Sequence, residues 1–75
     1  MEEIIKNILS KSIDKSEVSV EGSEAKYTVK VVSDIFSNKS IIERHKVIYA
    51  LLDTYIKSGE IHALTIKTLT VNESQ

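Results

Sequence analysis

Ile4, Ile5, Ile8 and Leu9 recur at spacings of three and four, which places them on one face of a helix, while Glu2, Glu3, Lys6 and Lys11 fall elsewhere. The pattern predicts an amphipathic helix over residues 2 to about 12. Its early glutamates suit the positive end of the helix dipole and its late lysine the negative end. From residue 17 the period changes to two, with Val18 and Val20 alternating with Glu17, Ser19 and Glu21. Gly22-Ser23-Glu24 supplies turn chemistry and Tyr27 to Val32 is rich in β-branched residues, so this region reads as a hairpin. The second strand, with Val29, Val31 and Val32, is the more apolar and belongs at the centre of a sheet; the first belongs at an edge.

Ser33-Asp34 and Ser37-Asn38-Lys39 bracket Ile35 and Phe36, a loop whose apolar pair is placed to cover one end of the core. Ser40 and Glu43 have the S-x-x-E spacing of a capping box, so a second helix is predicted to begin at Ser40. Ile41, His45, Ile48, Leu52, Tyr55 and Ile56 form its expected inward stripe. Asp53 and Lys57 form an i,i+4 pair, and Ser58-Gly59 gives the stop. Residues 60–70 alternate again, with His62, Leu64, Ile66 and Thr68 on one side and Ile61, Ala63, Thr65, Lys67 and Leu69 on the other. The polar tail, residues 71–75, is expected to fray. The order α-β-β-α-β defines an α+β domain in which three strands bury one face against two helices. A connection through a long helix favours a parallel partner for the last strand, hence a mixed sheet. Strand order stays open.

At 75 residues the chain has room for one domain, residues 1–75, and lacks the bulk of most self-contained enzymes. It contains no cysteine, so disulfides, thiolate metal sites and thiol nucleophiles are absent. Hydrophobic residues at 41% and charged residues at 28% fit a globular fold rather than disorder. No apolar run approaches the ~18 residues needed to span a bilayer. The acidic start, Glu2 and Glu3 after Met1, does not read as a secretory or organelle leader, which makes the cytoplasm the expected location. Phosphate-loop, nucleophile-elbow and H-E-x-x-H patterns are also missing, and a non-enzymatic role is expected.

Two histidines are the only imidazole donors. His62 stands at the mouth of the last strand just after the glycine turn, where a ring nitrogen can face solvent and meet a metal or a partner. The competing reading is a strand-end histidine without a task. His45 falls on the inward stripe of the second helix and reads chiefly as a helix histidine at the core's edge. The net charge of −1 conceals a division along the chain, for residues 26–46 hold five bases against two acids. Lys39, Arg44 and Lys46 gather near the start of the second helix, where backbone N–H groups already favour an anion, and a phosphate backbone is one candidate occupant. An ordinary solvated surface explains the same pattern.

The motifs Val31-Val32-Ser33-Asp34-x-Phe36, Ser40 followed by Arg44-His45-Lys46-Val47-Ile48-Tyr49, and Ile61-His62-Ala63-Leu64 with Lys67-Thr68-Leu69-Thr70 together resemble the BolA family over nearly the whole chain. The resemblance implies a core similar to the class II KH fold. It also implies a monothiol glutaredoxin as partner and a shared [2Fe–2S] cluster, with thiolates from glutaredoxin and glutathione and an imidazole from the H-A-L segment, which is His62 here. A neutral imidazole can replace thiolate on one iron, as in Rieske centres, and cannot ligate once protonated. Many family members add a cysteine or histidine ligand in the hairpin loop, whereas this loop reads Gly22-Ser23-Glu24-Ala25-Lys26. Glu24, a water or His45 would have to serve, or the pairing would be without a cluster. A further C-terminal helix, common in the family, is also not found in this sequence. The family's other described role, transcriptional regulation through DNA, would use the basic start of the second helix with Lys39, Arg44 and Lys46. A monomer or weak homodimer is expected, because the charges on the Glu17–Glu21 edge oppose pairing.

Overall fold

The computed structural model describes residues 1–75. Helix α1 spans Glu2–Ser12, strands β1 and β2 span Glu17–Ser23 and Lys26–Val32, and a single 3-10 turn covers Asp34–Phe36. Helices α2 (Ile41–Leu51) and α3 (Asp53–Ser58) follow, then strand β3 (Ala63–Leu69). The sheet order is β1-β2-β3, with β1 antiparallel and β3 parallel to the central β2. The expected α+β class, mixed sheet and central second strand are therefore present. The helix crossover between β2 and β3 is what permits the parallel pairing.

Ile5, Leu9 and Ile13 of the α1 region, Val18, Val29 and Val31 of the sheet, and Phe36, Ile48, Leu52 and Ile61 form one buried cluster. The opposite sheet face carries Glu17, Ser19, Glu21, Lys26, Thr28, Lys30, Thr65 and Lys67, all exposed. The period-two pattern has thus sorted most apolar side chains to the helix side and left a largely polar surface on the other, where Val32, Leu69 and Ala63 at the strand ends are the apolar positions.

Several boundaries differ from the sequence reading. The hairpin turn is Glu24-Ala25, both left-handed with φ of 54° and 66°, so the strands pair as far as Ser23 with Lys26. Gly22 lies inside β1 rather than in the turn, at φ 140°. The second helix is interrupted at Leu52, with φ −103° and ψ 9°, and resumes as α3 until Gly59 stops it at φ 85°. The capping box is present as read: the Ser40 N–H donates to Glu43 Oε1 at 2.8 Å and the Glu43 N–H to Ser40 Oγ at 3.1 Å.

The inward line of α2 runs through Arg44, Ile48 and Leu52, successive residues four apart, and all three are buried. Ile41, expected on that stripe, is 67% exposed. At the start of β3 the alternation fails because Ile61 is buried before the strand begins, its N–H bonded to Tyr55 O at 3.0 Å. Ile61 and Leu64 therefore both turn inward while His62 and Ala63 both face out.

Candidate functional site

Gly59 ends α3, Ile61 enters the core, and the next residue, His62, is delivered to the surface. Its N–H donates to Ala25 O at 2.7 Å, and the Ala63 N–H donates to the same oxygen at 3.1 Å. The backbone at His62 is thus fastened to the hairpin turn while its ring stays exposed. Glu24, exposed and next to Ala25, belongs to the same end of the sheet. His45 is not brought there. It is half-buried on α2 and shares a cleft with Ile41 of the same helix and with Ile66, Lys67, Thr68 and Leu69, which lie at least four residues along β3 from His62. At 3.3 Å per residue that is roughly 13 Å or more.

A metal or cluster can therefore take one imidazole from this end of the sheet, where the Glu24 carboxylate, next to Ala25, is the neighbouring acid across the hairpin turn. No group of three His, Asp or Glu side chains able to hold a metal ion occurs. The donor set fits a shared ligand position and does not fit a cluster held by this chain alone.

Arg44, read from the sequence as a phosphate contact, is 8% exposed and makes four hydrogen bonds within the fold. Its Nε donates to Lys39 O at 3.0 Å, Nη1 to Glu73 Oε1 at 2.6 Å and to Thr68 O at 3.4 Å, and Nη2 to Glu73 Oε2 at 3.2 Å. Glu73 also accepts the Thr70 N–H at 2.9 Å while its own N–H donates to Thr70 Oγ1 at 3.2 Å. The Val71 N–H donates to Asp34 Oδ1 at 3.0 Å. The tail expected to fray is instead tied to α2, β3 and the 3-10 turn. Its T-x-x-E spacing is the same capping signal as at Ser40 and was legible in the sequence. The guanidinium is buried and its charge is paired with Glu73, so Lys39 and Lys46 are the exposed cations remaining from the proposed basic group.

Hydrogen bonds from Arg44, then from the Thr70 backbone, hold the Glu73 carboxyl down at about 2 against an ordinary 4.5. A carboxylate depressed in the folded state stabilises fully above its unfolded value and loses that contribution as pH falls through the folded one. Stability should accordingly drop between about pH 4.5 and 2, and Glu73→Gln should remove part of that slope. Urea midpoints measured across this range check it; parallel curves for the two proteins would show that the pair does not couple to folding.

A small α+β domain with a three-stranded mixed sheet and one surface histidine presented at a strand mouth is the class defined by these features. The family model described as BolA-like protein matches residues 3–73, and the chain belongs to that family. It is 44% identical over 69 residues to a protein of Haemophilus influenzae, covering 92% of this chain and 81% of that one. Among solved structures, BolA1 from Arabidopsis thaliana superposes with a TM-score of 0.88 at 28% identity, covering 99% of this chain and 95% of that one. The BolA domain of SufE1 from the same plant gives 0.86 at 36% identity, covering 96% and 93%. No helix is long and apolar enough to cross a membrane.

Proposed function

We propose that this protein is a BolA-like adaptor in iron–sulfur cluster assembly or trafficking and iron homeostasis, not an enzyme, which binds a monothiol glutaredoxin and supplies His62 to a shared [2Fe–2S] cluster. The observation that supports it most is the exposed His62 ring on a backbone fixed at 2.7 Å to the hairpin turn. A ligand aimed by backbone fastened to the hairpin turn loses little entropy on binding. The rest of the ligand set, thiolates above all, must come from glutaredoxin and glutathione, because this chain has no cysteine. The similarity to the BolA domain of SufE1 supports an iron–sulfur setting. The DNA reading loses Arg44, which the Glu73 carboxylate occupies.

Titration into glutathione-bound [2Fe–2S] monothiol glutaredoxin, followed by visible absorption and circular dichroism, tests this reading. Wild type should change the cluster spectrum and His62→Ala should not. The variant keeps its fold, since the side chain is exposed and the bond at residue 62 is made by the backbone. An equal spectral change in the variant, or binding without any change, would remove His62 as ligand; absence of glutaredoxin binding would shift attention to Lys39, Lys46 and nucleic acid.

A further inference from the structure

The outer edge of β3 is unpaired, because β3 is the last strand of the sheet. The hydrogen bonds already made fix which residues face outward. Ala63 N–H and Leu69 O point to the β2 side, bonding Ala25 O and the Ser33 N–H, whereas Thr68 O points away and accepts from Arg44. Both backbone groups of a strand residue point to the same side. Leu64 and Ile66 therefore present free N–H and C=O groups, bounded at one end by Arg44 and at the other by His62.

The two sides of this edge differ in chemistry. Towards the helices lie Ile41 and Ile66, in the cleft shared with His45, and Ile41 and Ile42 are 67% and 70% exposed at the start of α2. Towards the polar face stands Lys67, exposed and in no salt bridge. Lys46 on α2 is also unpaired. The carboxylates on the α2 side are engaged, Glu43 in the cap and Glu73 on Arg44, while on the polar face Glu21 shares a cleft with Lys67 and Lys30 without a salt bridge to either. A strand added here would alternate its side chains between these two sides.

We propose that the β3 edge is a docking site for an extended segment of a protein partner, with apolar residues alternating with acidic ones. The apolar positions pack on Ile41 and Ile66, and the acidic positions meet Lys67. The outer edge of β1 suits such a segment less, since Glu17 and Glu21 on that strand and Glu2 and Glu3 beside Val20 outnumber the single Lys6 in the same cleft. A second copy could offer β1 to β3, but that contact repeats head to tail without closing. Nucleic acid would leave the free backbone N–H and C=O groups without a matching strand, and the surface has no aromatic platform beside Lys67. This inference stands apart from the cluster reading, because it needs neither iron nor His62.

A blocked heptapeptide alternating valine with glutamate is the probe, used with the metal-free full chain. Amide hydrogen exchange should slow at Leu64 and Ile66, and Lys67→Glu should weaken binding at least tenfold while favouring a lysine–valine heptapeptide. Ile41→Ser should weaken it too without loss of fold, given that side chain's exposure. Equal binding of the two heptapeptides by wild type, protection confined to β1, or protection of the same amides by an oligothymidylate but not by the peptide would overturn the assignment. Concentration-dependent polymers abolished by Lys67→Glu would overturn it in favour of a second copy.

Discussion

Phe36→Ala should destabilise the domain by about 3–5 kcal/mol, the usual cost of removing a fully buried aromatic ring. Phe36 is completely buried and is the largest fully buried side chain. It reaches the cluster from the 3-10 turn, where Ser33 caps the turn through its hydroxyl and donates that hydroxyl to Asp14 O at 3.3 Å. The Ser33 bond ties the loop after β2 to the segment that follows α1, and the ring shares one buried cluster with Ile13 of that segment. For 75 residues the total stability expected is roughly 4–11 kcal/mol. The substitution therefore removes a large share of it, and urea unfolding followed by far-UV circular dichroism should show a much lower midpoint. Phe36→Leu, which keeps most of the volume, should cost far less. A Phe36→Ala loss under about 1 kcal/mol would show that the loop does not close the core.

Gly22→Ala should cost at least about 2 kcal/mol, from strained backbone and a steric overlap together. A β-carbon at Gly22 would fall on the Lys26 carbonyl oxygen and lie 2.8 Å from Tyr27 Cα, and the residue has φ 140°. Neither neighbour is a flexible side chain able to withdraw. The far end of the hairpin must open, and with it the Ala25 carbonyl that holds His62. Gly59→Ala provides the comparison: φ is 85° there but nothing stands within 4 Å, so only the left-handed backbone cost of about 1–2 kcal/mol applies. Amide exchange at residues 21–27 should accelerate in Gly22→Ala and stay unchanged in Gly59→Ala. Equal behaviour of the two would remove the overlap as the cause.

Most of the architecture was legible because each element announces itself locally. The α1 stripe, the Ser40–Glu43 box and the valines of β2 depend on neighbours within a turn or a strand. What was missed depends on contacts distant in sequence. Arg44 looked like a surface cation because its partner is Glu73, on the far side of α3 and β3. Ile41 looked inward because its spacing fits the stripe, yet the line through Arg44 fills the helix–sheet contact. Gly22 looked like a turn residue because glycine favours turns, but here it relieves a close approach between paired strands. His62 was located correctly at the strand mouth; its bond to Ala25 could not be read, since strand order does not follow from composition.

The parallel pairing of β3 also sets an order of events during folding. β1 and β2 meet through a two-residue turn, whereas β3 reaches β2 only after the whole α2–α3 crossover has been closed. Contacts near in sequence cost less entropy to form than distant ones, so the hairpin is favoured to precede the third strand. The bonds from His62 and Ala63 to Ala25 then belong to the late, non-local set. A chain caught before that step has a hairpin and helices but no fixed imidazole, so the placement of the His62 ring reports that the last strand has closed.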